Sequence, residues 1–382
     1  METSRRQQKI RQRQQKEAAE RKRKPETYTN HTPFRHVERN FKSRVPPPDF
    51  SEVIHLRPCD ALHPVSLSLD HPFFAGKQTT AYVVKSVPGL IVIPNPFTPA
   101  AEREVVRACL SEYSKAPNMS NLDTHYAMPD EGLWRLHQRQ SQECVPRKSK
   151  AQDTASQQSQ EQQRRVKACD DAFRPDLNGP KPDPLPAETV PLLTPTELLY
   201  KLRWVTLGYQ YHWPTKTYHF DRRFPVPRLV HSLSHATVRA VEDIGYADWK
   251  NTYKADDYVP EAGVINFYQY KDTLMGHVDR SELNMEAPLV SMSFGNACIY
   301  VIGGPTQDIK PAALQLNSGD IVVMTGPCRR SFHGVPRIIE NSLPGYLQPT
   351  ADDGDWAPYG SFMQTTRINL NIRQVFPKSS MP

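Results

Sequence analysis

Long apolar runs are missing from this 382-residue chain: none could cross a bilayer, and no secretory hydrophobic stretch is present. No membrane partner is expected. Paired cysteines are missing as well. The six stand at 59, 109, 144, 169, 298 and 328, no two closer than 25 residues, so neither a zinc-type cluster nor a redox pair is visible. They read as free thiols in a reducing compartment. Hydrophobic residues make up only 38 % of the chain, low for one that folds along its whole length. Proline is in excess at 36 residues, roughly twice average usage. Together these imply a folded core with irregular additions.

Net charge is missing from most of the chain too. In residues 1–24 ten Lys and Arg face Glu2, Glu17 and Glu20, which accounts for the whole formal charge of +7; the other 358 residues sum to zero. The basic character therefore describes a tail and not a fold. Such a tail speeds association with polyanions and adds salt-sensitive affinity, although a plain solvated terminus has the same composition. Arg21-Lys22-Arg23-Lys24-Pro25 resembles a nuclear-import patch, as a chance basic run also would. The three Glu and the scarcity of large apolar residues are unlike a mitochondrial presequence. The nucleus is the expected location, with cytoplasm or mitochondrion as alternatives.

Residues 1–80 lack sustained periodicity and contain Pro46-Pro47-Pro48, so they are expected to form a largely disordered basic arm with at most short docked pieces. Order is expected from Ala81 onward, in one domain over 81–378, with a short apolar strand at Gly89–Pro94. Thr98-Pro99 opens a helix with Val105, Val106, Cys109, Leu110 and Tyr113 on one face. Residues 138–190, rich in Gln and then Pro, read as a disordered insertion. Thr194-Pro195-Thr196-Glu197 is a capping box that starts a short helix through Leu198, Leu199 and Leu202. A further helix is expected over 227–243, with Leu229, Leu233, Ala236 and Ala240 inward. These elements make residues 81–261 a helical, substrate-recognising part. From 262 to 378 the pattern changes to strands, at Ala262–Tyr270, Leu274–His277, Leu289–Phe294, Cys298–Gly303, Ala313–Leu316, Ile321–Thr325, Ser331–Val335 and Thr366–Val375. The fold class is α+β: a double-stranded β-helix, or jelly roll, buttressed by the preceding helices.

His277-Val278-Asp279 carries the first chemical signal. Residues two apart on a strand share a face, so an imidazole and a carboxylate can meet one metal. The pattern also arises by chance and needs a third ligand; His333, in Ser331-Phe332-His333-Gly334, can supply it. Two His and one carboxylate on one face of an octahedron leave three positions open, as in non-haem Fe(II) oxygenases. The second signal is Thr366 to Gln374, where Arg367, Asn369, Asn371 and Arg373 alternate with Ile368, Leu370 and Ile372. An edge strand with one wet face reads this way; so does a site for a 2-oxo diacid, because guanidinium grips carboxylate in a fork. Asn266, Tyr268 and Tyr270 share a third face, either toward solvent or as donors to the same carboxylates. Trp204, Tyr209, Tyr211, Trp213, Tyr218 and Phe220 form an aromatic run. Core packing is the default for such rings, and stacking on an extruded base is the alternative.

Taken together, Asn266-x-Tyr268, His277-x-Asp279, His333 and Arg367-x-Asn369-x-x-x-Arg373 resemble the AlkB family of Fe(II)/2-oxoglutarate dioxygenases. The segments Ile93–Phe97, Lys115–Asn118, Leu202–Tyr209 and His277–Glu282 are similar to its homologue 1 branch. The resemblance implies that His277, Asp279 and His333 bind Fe(II). It implies that Asn266, Tyr268, Arg367, Asn369 and Arg373 bind 2-oxoglutarate, Arg367 taking the distal carboxylate. With O2 as second cosubstrate, it implies oxidative removal of N-methyl groups from nucleic acid. N6-methyladenine in DNA is the first expectation, and methylated tRNA or RNA bases such as N1-methyladenosine the alternative. Trp204, Tyr209 and Tyr211 are candidates for substrate contact. A methylated protein substrate such as histone lysine is a weaker alternative; a binding module without catalysis fits poorly with a complete triad. The expected partner is nucleic acid, DNA and/or tRNA, and the protein is expected to be a monomer. Deletion of residues 1–24 is expected to weaken oligonucleotide binding and to flatten its salt dependence, measured by fluorescence anisotropy across a salt series. An unchanged slope would show the arm to be a bystander.

Overall fold

The computed structural model describes residues 32–148, 183–187, 189–350 and 353–378. Helix α1 (Pro33–Lys42) leads to strands β1 (Leu62–Ser68), β2 (Gln78–Val84) and β3 (Leu90–Ile93). Helices α2 (Pro99–Ser111), α3 (Leu133–Gln138) and α4 (Pro195–Leu199) follow. Then come the hairpin strands β4 (Trp204–His212) and β5 (Thr217–Arg223), and helix α5 (Arg228–Ala240). A short pair, β6 (Gly245–Tyr246) and β7 (Trp249–Lys250), precedes β8 (Ala262–Gln269), β9 (Leu274–His277), β10 (Leu289–Gly295) and β11 (Cys298–Ile302). After these come β12 (Ala312–Leu316), β13 (Ile321–Met324), β14 (His333–Ile338), helix α6 (Ala357–Met363) and β15 (Thr366–Arg373).

Two sheets carry the fold. A nine-stranded sheet has the order β1-β2-β3-β13-β10-β15-β8-β4-β5, and a four-stranded sheet the order β12-β11-β14-β9. Their pairings are antiparallel. Alternation along each strand sorts its side chains between layers. Ile265, Phe267, Ile368, Leu370 and Ile372 point from the large sheet into a core shared with α2 and α5. Tyr268, Leu289, Cys298, Tyr300, Leu316, Met324 and Val335 fill the space between the sheets. Phe34 and Phe41 of α1 close the outer face of the small sheet against Ile299, Val301 and Ala313. The arrangement is a jelly roll with helices outside the large sheet and one helix outside the small one.

The caps read from sequence are present. The Thr98 hydroxyl accepts from Ala101 N–H at 3.1 Å, and the Thr194 and Glu197 side chains cap each other's backbone. Several boundaries differ. The arm expected over 1–80 is ordered from residue 32. Thr32-Pro33 caps α1, whose Phe34, Val37 and Phe41 form an apolar stripe, and β1 and β2 extend the large sheet. That stripe is a single short face, and its partner strands lie more than 250 residues away in sequence, at Ile299 and Val301. The jelly roll is accordingly not confined to 262–378. Helix α5 ends at Ala240 and turns Val230, Leu233, Ser234, Thr237 and Val238 inward, a rotation from the face expected. The flanks of the 138–190 insertion are packed: Val145 and Leu193 form a backbone bridge, and Val145 is buried. The basic arm of residues 1–24, the import-like patch and most of the Gln-rich stretch lie outside the described residues.

The turn between β12 and β13 is joined to the loop after β3 by one buried carboxylate. Asp320 Oδ1 accepts Asn95 N–H at 2.9 Å and its Oδ2 accepts Asn317 N–H at 2.6 Å. Burial raises its pKa to about 6 against the pull of those two donors. An amide cannot accept on both sides. Asp320→Asn is therefore expected to cost about 1–3 kcal/mol, read as a lower urea midpoint at constant m-value; an unchanged midpoint would refute the double-acceptor role.

Candidate active site

The cavity between the sheets has a volume of about 830 Å³. Its floor comes from β8 and β15, whose register sets Tyr268 opposite Arg367 and Asn266 opposite Asn369. β15 lies between β10 and β8, so its polar face looks into the protein and not into water. Its apolar face meets the helices. The edge-strand alternative left open by the sequence is thereby removed.

At the cavity's other wall, β9 and β14 pair so that His277 faces His333. Asp279 follows two residues after β9. The potential ligand atoms of the three residues lie within 4.8 Å of one another. His277 Nε2 is 3.7 Å from Asp279 Oδ1, and His333 Nε2 is 3.7 Å from Asp279 Oδ2. Each imidazole is oriented through its other nitrogen: Nδ1 of His277 bonds Met275 O at 2.9 Å, and Nδ1 of His333 bonds Ser331 O at 3.1 Å. Both Nε2 atoms are thus turned toward a common point, the usual preparation of a histidine ligand. Burial lowers the His333 pKa to about 4, which keeps its ring neutral with a free lone pair. Burial alone would raise the Asp279 carboxyl, but Arg373, His277, His333 and Arg329 outweigh it and hold it well below the usual carboxylate range.

Arg373 gives Nη2 to Asp279 Oδ2 at 3.1 Å and Nη1 to Glu282 Oε1 at 3.1 Å. Glu282 also takes the Tyr218 hydroxyl at 2.7 Å and Arg329 Nη2 at 3.2 Å. Arg329 closes the ring by donating to the backbone oxygens of Ala287 and Asp279, at 3.0 and 3.2 Å. Deeper in, Arg367 is 1 % exposed. Its Nη atoms reach Asn296 O at 2.9 Å and Ser293 Oγ at 2.6 Å. No carboxylate pairs with it among the described residues, and its Nε, like Arg373 Nε and Asn371 Oδ1, is buried without a partner. The buried Asp320 carboxylate feels Arg367 without contacting it, and a buried guanidinium with an orphaned donor fits an anionic guest. Asn369 is held by Ser291 Oγ at 2.7 Å. Burial raises the Tyr268 pKa, so its hydroxyl remains a donor.

The other expected residues separate. Tyr211 lines the cavity and bonds Ser281 Oγ at 3.0 Å; Trp213 lines it as well. Trp204 is not among the lining residues and packs on Trp213 with ring centroids 4.8 Å apart. Tyr209 turns away, into Phe220 and Phe376, because a register shift between Tyr209 and Gln210 inverts the alternation of β4. Tyr270 also leaves the site, bonding Gln364 O and Asn341 N–H. The sequence names no site role for Glu282, Ser293, Asn296 or Arg329, and for Trp213 and Tyr218 only the stacking alternative shared by the aromatic run. Only Trp213 and Tyr218, within the aromatic run, and Glu282, within the segment shared with the homologue 1 branch, carried any signal.

Comparison with known proteins gives a consistent picture. The description of the 2OG-Fe(II) oxygenase superfamily matches residues 159–373. The nucleic acid dioxygenase ALKBH1 of Mus musculus is 33 % identical over 314 residues, covering 77 % of this chain and 66 % of the mouse protein. The tRNA demethylase abh1 of Schizosaccharomyces pombe is 30 % identical over 349 residues, covering 90 % of this chain and 96 % of the yeast protein. The DNA N(6)-methyladenine demethylase ALKBH1A of Arabidopsis thaliana is 37 % identical over 187 residues, covering 47 % of this chain and 50 % of the plant protein. The chain thus spans about two thirds of the mouse protein's length, half of the plant protein's and nearly all of the yeast protein's.

Glu282 balances two buried guanidinium groups. Glu282→Ala is expected to destabilise the fold by about 3–5 kcal/mol, measured by equilibrium urea unfolding, since it leaves buried Arg329 without a carboxylate and Arg373 with Asp279 alone. A loss below about 1 kcal/mol would mean that the ring is redundant.

Proposed function

This chain belongs to the 2OG-Fe(II) oxygenase superfamily, whose members use Fe(II), 2-oxoglutarate and O2, and on that premise we propose that it oxidatively demethylates N-methylated bases in nucleic acid. The observation that carries the reading is the coincidence, in one cavity, of the His277-Asp279-His333 cluster with the buried guanidinium of Arg367, whose Nε has no partner. The cluster is a donor set of two imidazoles and one carboxylate, suited to Fe(II). When bound, Fe(II) with 2-oxoglutarate and O2 supplies oxidation of an N-methyl group to a hydroxymethyl group, which leaves as formaldehyde.

The chain's own residues do the rest. His277, Asp279 and His333 hold the iron. Arg367 takes the distal carboxylate of 2-oxoglutarate, with the Tyr268 hydroxyl as a second donor from the facing strand position. Asn266, Asn369 and Arg373 complete the polar floor and orient the 2-oxo acid end. Arg373 serves two anions, since it already holds Asp279. Tyr211 and Trp213, at the β4–β5 hairpin, supply the ring faces against which an extruded base stacks, worth about 1–3 kcal/mol per base. Trp204 backs Trp213.

N6-methyladenine in DNA is the preferred substrate in this reading, in line with the printed name of the Arabidopsis relative. A tRNA or other RNA substrate is the second reading. It is favoured by the fission-yeast relative, of which the chain covers 96 %. A mass-spectrometric panel of methylated DNA and RNA oligomers, with and without 2-oxoglutarate, separates the two. His277→Ala and Asp279→Ala are expected to abolish formaldehyde and succinate release while oligonucleotide binding stays within about twofold of wild type. Arg367→Ala is expected to raise the KM for 2-oxoglutarate by at least about tenfold, equivalent to about 1.4 kcal/mol. Full turnover in either triad variant would sink the iron assignment.

A further inference from the structure

Helix α1 reaches two of the three proposed iron ligands at a distance of one residue. His277 ends β9, the edge strand of the four-stranded sheet, which pairs only with β14. A strand held on one side is a poor mount for a metal ligand. α1, which closes the outer face of that sheet, also packs on this strand. Glu38 Oε1 accepts the N–H of Gly276 at 2.6 Å, and Glu38 is 5 % exposed. The other oxygen of Glu38 is paired with Arg35, which also lines the cavity. Phe34, fully buried, lies against the same residue: a Cβ on Gly276 would stand 2.3 Å from its Cε1. The Phe34 ring also meets Phe332 edge-on, with centroids 6.0 Å apart, and Phe332 precedes His333.

We propose that Glu38 is a positioning residue of the metal centre. It holds the N–H of Gly276, so that the edge strand presents His277 at a fixed place, and α1 is part of the site. This rests on the reading of His277, Asp279 and His333 as the iron ligands. The contact is directional and made to backbone. A side chain of the same length without an oxygen acceptor therefore loses it, and a neutral side chain with an amide oxygen keeps it. Met and Gln meet these two descriptions, and both suit a helix interior.

The test is a Co(II) titration of the full-length protein, followed by visible absorption, with the melting temperature recorded in parallel. Glu38→Met is expected to weaken Co(II) binding by about tenfold, the scale typical for loss of an outer partner of a ligand. Glu38→Gln is expected to remain close to wild type. Asp320→Asn, which is destabilising and lies behind Arg367 with no contact to His277, Asp279 or His333, is expected to bind Co(II) as wild type does. Unchanged affinity in Glu38→Met, equal weakening in Glu38→Gln, or weakening in Asp320→Asn would each overturn the proposal. His277→Ala separates the two levels of the argument. If it loses Co(II) while Glu38→Met does not, the positioning role alone falls; if it keeps Co(II), the iron reading falls with it.

Discussion

Arg373 and Asp279 meet across the gap between the two sheets. One side chain belongs to the centre of the nine-stranded sheet and the other follows the edge of the four-stranded sheet. Their separation fixes the width of the cavity at the point where the two histidines converge. A buried ion pair is a weak source of net stability, because desolvation offsets most of its attraction. This one is not isolated. Glu282, Arg329 and the Tyr218 hydroxyl surround it, so each charge has a partner and the pair has little freedom to move. The carboxylate stays ionised and the guanidinium stays in place, and both conditions suit a divalent cation and a dianion held side by side.

The same sheet face would be unstable without such purposes. Alternation along β15 places Arg367, Asn369, Asn371 and Arg373 in the interior, where unpaired polar atoms are expensive. Some of these atoms are satisfied by Ser291, Ser293 and the backbone of Asn296. The remaining ones, including both Nε atoms and Asn371 Oδ1, are not. Ile368, Leu370 and Ile372 on the opposite face anchor the strand in the helical core. One eight-residue strand thus combines an anchoring face with a binding face.

Much of this could be read along the chain. The alternation in β15, the two-residue spacing of His277 and Asp279, and the capping sequences at Thr98 and Thr194 are local patterns, and the structure contains them. Features that depend on distant partners could not be read. Helix α1 has an apolar stripe of three residues, and nothing near it in sequence indicates the strands it covers. Glu282 resembles any surface glutamate until Arg329, Arg373 and Tyr218 arrive around it. Tyr209 fails for a subtler reason: a single bulge in β4 reverses which face its rings occupy, and only Gly208, at φ +69° directly before it, announces it. From residue 32 onward the expected arm consists of short elements docked on the sheets, which show no sustained periodicity of their own because they borrow their cores from elsewhere.

The backbone bridge between Val145 and Leu193 bears on how this protein varies. It fastens the two ends of the intervening chain to each other at the body of the fold, with Val145 N–H donating to Leu193 O at 2.9 Å. The described residues between them also touch the fold: Asp183 pairs with Arg222 of β5, and Pro191 O accepts the Tyr126 hydroxyl. Lengthening a loop whose ends are already joined costs little, about 0.6 kcal/mol for each doubling. Added length between these two positions is therefore cheap for the rest of the fold, provided that the contacts of Asp183 and Pro191 are kept.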